Sequence, residues 1–158
     1  MVADCLPVLL CDAAGQWVAA AHAGWRGLAG VQGKGVLEAL LTDLSHSGCD
    51  VSNAMAWLGP CIGSKAFEVG PEVMEAFDDG SSATRAMFHD QANGKFKADL
   101  AGLARLRLQA MGLSGIHGND GTADWCTVSQ AQIFFSHRRD SRLRGQTGRM
   151  AACVWLDI

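Results

Sequence analysis

The chain has 158 residues, enough for one domain that buries roughly 70% of its unfolded surface and too few for a second independent core. Hydrophobic residues make up 49% and charged residues only 18%, a balance that suits strands buried on both faces. Thirteen Lys and Arg against sixteen Asp and Glu give a net charge of -3, which does not favour nucleic acid as a partner, and no apolar run reaches the roughly 18 residues of a membrane helix.

Taken in order, Leu6 to Cys11 is a continuous apolar run, Ala13-Ala14-Gly15-Gln16 is a turn, and Trp17 to Ala21 is a second apolar run. Their length and punctuation predict two buried strands. Paired as a hairpin, they bring Cys5 and His22 together at its open end. A Gly-rich loop follows to Gly35, and Leu37, Leu40, Leu41 and Leu44 then mark an amphipathic helix from Gly35 to Ser47, closed by Gly48.

Met55 to Leu58 reads as a buried strand entering a Gly-Pro-Cys-Ile-Gly loop. Pro71 to Asp78 is a short helix, with Pro71 in its first turn and Glu72 and Glu75 complementing its positive end. Asp79 to Thr84 reads as a polar loop and Asn93-Gly94 as a turn. Leu100, Leu103, Leu106 and Ala110 form the stripe of a helix from Ala98 to Met111. Ser114 to Thr127 is expected to be loop, Ile133 to Phe135 a strand, Asp140 to Gln146 an exposed turn, and Met150 to Leu156 a closing strand. Alternating strands and helices without repeats or a linker predict a single α/β domain over 1–158, a layered sandwich with a mixed sheet.

Six cysteines, at 5, 11, 49, 61, 126 and 153, form no C-x-x-C pair. Asp4 stands where a signal peptide would be basic. The cysteines are therefore expected to be reduced thiols in a cytoplasmic protein. Only Cys5 has an evident partner, and Cys5 with His22 supplies two of the three protein ligands of a catalytic zinc. Asp4 either takes the free N–H of a metal-bound imidazole or, by strand alternation, looks away from Cys5. Five arginines lie between Arg138 and Arg149, and Arg26 follows Trp25. Planar guanidinium groups suit phosphate, and Arg26, Arg138 and Arg139 are the candidates, with Arg142 and Arg144 read as a solvated turn.

Five blocks together resemble the laccase-domain, or multicopper polyphenol oxidoreductase, family: Ala3 to Leu10, Ala21 to Gly27, Leu58 to Gly63, Phe67 to Gly70, and Phe134 to Asp140 with Thr147-Gly148-Arg149. The resemblance implies an α/β fold and zinc, or alternatively copper, held by Cys5 and His22. It further implies purine nucleoside phosphorylase activity on adenosine, inosine or guanosine, with adenosine deamination and methylthioadenosine cleavage beside it. In that scheme Cys5, His22 and Arg26 are catalytic, and Arg26, Ser136, Arg138 and Arg139 bind the purine nucleoside and phosphate. Two departures stand out. The family has Tyr where this chain has His137, and its first metal-ligand His lies upstream of Ala3, so the chain is expected to be the C-terminal portion of a longer, N-terminally incomplete domain. Weak metal binding, little turnover and a homo-oligomer formed through uncovered apolar surface are then expected.

The competing functions are copper-dependent phenol oxidation at the same site, and an inactive structural or partner-binding domain. The H-x-E and P-C-x-x-C signature of nucleobase deaminases is absent, and five scattered histidines cannot furnish a multicopper cluster.

Overall fold

The computed structural model describes residues 1–157, except the side chains of residues 143 and 144. Its first two strands, β1 (Leu6–Asp12) and β2 (Val18–Ala23), form the expected antiparallel hairpin. Strand alternation turns Leu6, Val8 and Leu10 into the core, where each is at most 1% exposed. The Asp12 carboxylate closes the turn by accepting the N–H groups of Gln16 at 2.6 Å and Trp17 at 3.1 Å.

A short helix α1 (Trp25–Ala29) follows, then α2 (Val36–His46). Gly35 enters α2 with its N–H on Glu38 Oε2 at 2.8 Å, and a Cβ there would fall 2.1 Å from the Leu28 carbonyl oxygen, so only glycine lets the two helices approach so closely. Strand β3 (Ala54–Leu58) pairs antiparallel with β1. After β4 (Glu68–Val69) come α3 (Pro71–Phe77), α4 (Ser82–Arg85), β5 (Phe88–Asp90), β6 (Phe96–Ala98) and α5 (Leu100–Ala110). Strand β7 (Gly115–Gly118) then pairs parallel with β3, and α6 (His137–Arg144) is the last helix.

The result is a mixed four-stranded sheet, order β2-β1-β3-β7, and a three-stranded antiparallel sheet, order β4-β6-β5. Helices α1 and α2 pack on β2. Helix α5 buries Leu100, Ala101, Leu103, Ala104 and Leu108. This is the expected α/β class with a mixed sheet.

The differences lie mainly in the last third. Residues 133–135 form no strand: the Ile133 and Phe134 N–H groups both donate to the Gln130 carbonyl in a turn, leaving Ile133 68% and Phe135 50% exposed. The expected exposed turn at 140–146 is instead largely helix. Ser136 caps α6 by accepting the Arg139 N–H, Asp140 accepts the Ser136 N–H, and Gly145 ends it in the left-handed conformation. The closing strand reduces to one antiparallel bridge, Val2 to Met150, and 151–157 have no regular structure. Conversely, the presumed loop after Ser114 contains β7, hidden in the sequence by glycines at both of its ends.

Candidate active site

The hairpin register sets Pro7 opposite His22 and Leu6 opposite Ala23. Cys5 and Gly24 therefore flank the open end, with Cys5 half-buried and His22 exposed. Gly24 shows how close the two donors come: a Cβ on it would lie 3.0 Å from Cys5 Sγ and 3.8 Å from His22 Nε2. Sulfur and imidazole nitrogen thus border one small space that a side chain would fill.

Burial pushes the Cys5 thiol above its ordinary pKa, the Asp4 carboxylate adds to this, and Arg149 opposes it. The sulfur is therefore a thiol at neutral pH unless a cation draws off the proton. Arg149 comes within range because its neighbour Met150 exchanges two backbone hydrogen bonds of 2.8 Å with Val2. No local pattern at Cys5 announces that approach; the Thr147-Gly148-Arg149 block was the only signal.

Helix α1 starts directly after Gly24 and carries Arg26 exposed on its first turn, its guanidinium 4.3 Å from the centre of the Trp25 ring. Stacking of this kind restrains the guanidinium plane.

Asp4 lies before β1, outside any strand alternation, at φ 80 and 8% exposed. Its carboxylate accepts Thr127 Oγ1–H at 2.5 Å, Ser136 Oγ–H at 3.1 Å and the Arg138 N–H at 2.6 Å. Ser136 is fully buried in this network. The Arg139 guanidinium makes five hydrogen bonds: to the Thr127, Val128 and Phe134 carbonyls and to both Asp140 oxygens. Ser136 and Arg139 thus brace the start of α6, and neither offers a free polar group to a substrate. Arg138 donates one N–H to the Glu68 carbonyl at 3.1 Å and lies over Phe67. Arg142 is exposed, the Arg144 side chain lies outside the described residues, and exposed His137 pairs with Ser141 Oγ at 2.8 Å.

Thiolate and imidazole are the donor chemistry zinc and copper prefer, so Cys5 and His22 fit a metal as two donors. Among the described residues no group of three His, Cys, Asp or Glu is placed to hold one. Cavities of about 440 and 450 Å³ border α5 and α2. Their walls are mostly apolar, and Arg107 and Glu38, which line the first, are already paired at 2.9 Å. Among the described residues no helix is long and apolar enough to cross a membrane.

A family model described as multi-copper polyphenol oxidoreductase laccase matches residues 1–157. A purine nucleoside phosphorylase of Pseudomonas aeruginosa, PA4543, is 49% identical over 157 residues, 99% of this chain and 59% of that protein. The Escherichia coli purine nucleoside phosphorylase YfiH is 47% identical over 156 residues, 99% of this chain and 58% of its own. A protein named adenosine deaminase RL5, from an unknown prokaryotic organism, is 35% identical over 146 residues, 92% of this chain and 53% of its own. The crystal structure of Neisseria meningitidis protein NMB0706 superposes with a TM-score of 0.74 at 47% identity, covering 89% of this chain and 53% of that one. The chain therefore spans less than two thirds of the length of these relatives.

Proposed function

Because the chain belongs to the multi-copper polyphenol oxidoreductase laccase family, we propose that it carries the metal-binding face of a zinc-dependent purine nucleoside phosphorylase. The observation that carries this assignment is the convergence of Cys5 Sγ and His22 Nε2 beside Gly24, next to the helix that presents Arg26. Relatives bearing the phosphorylase name at 49% and 47% identity support it.

Phosphorolysis joins a phosphate oxygen to the ribose anomeric carbon as the purine departs with the bonding electrons. The reaction needs a phosphate held in place and charge compensation near the departing base. Arg26 meets the first need: it is exposed, stacked on Trp25 and able to grip two phosphate oxygens at once. Arg138 is the second substrate contact, its backbone anchored on Asp4 so that its side chain leaves the surface at a fixed point. Ser136 and Arg139 act by holding that anchor. Cys5 and His22 would hold zinc, which when bound supplies Lewis acidity toward a substrate oxygen. Two protein donors are fewer than a catalytic zinc has, so zinc held by these two alone would be bound weakly.

Adenosine deamination is a second activity of the same face, favoured by the relative that bears that name. Copper-dependent phenol oxidation is the competitor. The test assays the chain alone, and joined to the additional segment of the Pseudomonas aeruginosa relative, each loaded with zinc or copper. Inosine with phosphate, adenosine and a phenol are the substrates. The expected result is phosphate-dependent release of hypoxanthine that is weak in the chain alone, stronger in the joined form and abolished by Cys5→Ala or His22→Ala. Phenol oxidation without phosphorolysis, or folded joined protein with no turnover, would overturn the assignment. The exposed Val31 and Trp155 also fit self-association, which light scattering reads directly.

A further inference from the structure

Two of the six cysteines stand side by side in backbone register inside the fold. Cys61 and Cys126 are the paired residues of an isolated parallel bridge: the Cys61 N–H donates to the Trp125 carbonyl at 3.2 Å and the Thr127 N–H to the Cys61 carbonyl at 2.9 Å. Paired residues on neighbouring strands lie about 4.7–4.9 Å apart, inside the Cα separation a disulfide spans, and a parallel pair projects its side chains to the same face. The two sulfurs have different surroundings. Cys126 lines a cavity of about 310 Å³ together with Gly63, Ser64, Lys65, Thr122 and Ser129. Its sulfur accepts the Gly63 N–H at 3.3 Å. A Cβ on Gly63 would come within 3.0 Å of that sulfur, so the N–H reaches it only because residue 63 is glycine. Both residues are buried, Cys126 at 4% and Cys61 at 1% exposed, and the Cys61 sulfur is touched by Asn119 Nδ2–H at 3.4 Å.

We propose that Cys61 and Cys126 form a peroxide-sensitive thiol pair in which Cys126, at the cavity, is oxidised first and Cys61 closes the disulfide. The thiol chemistry agrees. Burial raises the Cys126 pKa, but hydrogen bonds from Ser129, Gly63 and Val128 outweigh it and leave the thiol below its ordinary value, whereas burial and the Asp99 charge push Cys61 far up. In the first step the Cys126 thiolate attacks one peroxide oxygen. The O–O bond breaks, the departing hydroxide takes a proton from solvent, and the sulfur becomes a sulfenic acid. The Cys61 sulfur then attacks the oxidised sulfur, and its proton leaves with the sulfenic hydroxyl as a second water. The bridge is also wired to the hairpin mouth: the Ile62 N–H donates to the Asp4 carbonyl at 2.9 Å, and Thr127 holds the Asp4 carboxylate.

The test treats a Cys153→Ser chain, freed of the exposed thiol, with stoichiometric hydrogen peroxide and maps its peptides without reduction. The expected product is a 61–126 disulfide, and in a Cys61→Ser chain a dimedone adduct on Cys126. Should Cys61→Ser fail to fold, pulsed iodoacetamide on the parent replaces it, with Cys126 alkylated at least about tenfold faster than Cys61. Oxidation of Cys11 or Cys49 before Cys126, or a Cys126 sulfenate that persists while Cys61 stays a free thiol, would overturn the proposal.

Discussion

Asp4 and Cys5 are neighbours in one sequence block, yet they belong to two regions built on opposite principles. The Asp4 side is a closed polar network: its carboxylate has three donors, Ser136 is fully buried, and Arg139 makes five hydrogen bonds within the chain. The Cys5 side is open, with an exposed imidazole, an exposed guanidinium and a space beside Gly24. A motif of adjacent polar residues can therefore be half scaffold and half chemistry, with a positive φ at Asp4 where the two halves meet. Substitutions on the two sides should separate accordingly, with stability lost on one and binding or turnover on the other.

The largest effect is expected at Asp4. Asn tolerates positive φ at least as well as Asp, so Asp4→Asn removes the charge and one acceptor without new backbone strain. The one remaining oxygen cannot serve Thr127 on one side and Ser136 and Arg138 on the other, as the carboxylate does, and urea denaturation should show a loss of roughly 3 kcal/mol, a large share of a typical domain's stability. Cys5→Ala should cost no more than about 1 kcal/mol while abolishing zinc binding, and Cys61→Ala should leave the metal bound. Equal destabilisation at Asp4 and Cys5 would erase the distinction between the two regions.

Next come the arginines. Arg139→Lys cannot span three carbonyls and a carboxylate with one ammonium, and roughly 2 kcal/mol of stability should go. Arg26→Lys should leave the thermal midpoint almost unmoved and lower phosphorolysis at least about tenfold, since a point charge does not reproduce a planar fork. A smaller and more local effect is expected from Gly24→Ala. The backbone there, φ -67 and ψ 159, accepts alanine, so folding should be unharmed. The new methyl would sit 3.0 Å from Cys5 Sγ and should weaken zinc affinity about tenfold, which a competition titration with a chelator measures.

How far the sequence foretells these regions also differs. The hairpin is a local object: two apolar runs and a four-residue turn were enough to bring Cys5 to His22, and the apolar stripes of α2 and α5 were equally plain. The Asp4 network is assembled from partners more than a hundred positions away, at Thr127, Ser136 and Arg138, and no periodicity encodes such contacts. Helix α6 does not show as a helix in the sequence because its segment is nearly all polar, although Ser136 before it and Gly145 after it are cap signals. Strand β7 is four residues with glycine at both ends, too short for alternation to show.

The smallest effect tests the closed network by pH. Asp140 bonds first to the Arg139 guanidinium and then to the Ser136 N–H and Thr147, and its carboxyl is held down to about 2, against about 3.9 in an unfolded chain. The folded state thus binds this proton less readily than the unfolded one. Its contribution to stability is complete above about pH 4 and is lost as pH falls from there through about 2. Asp140→Asn should therefore flatten the acid limb of a stability-versus-pH curve, leaving the part owed to Asp50, Glu68, Asp79 and Asp120, which hydrogen bonds from Ser52, Lys95, Ser81 and Thr122 lower too. Because Asp140 is in contact with solvent, added salt should shrink the difference. Cys5→Ala and His22→Ala should keep the wild-type slope between pH 4 and 2, since neither residue touches the α6 cap. A flattened acid limb in those hairpin variants would mean that the open mouth and the closed network unfold as one electrostatic unit.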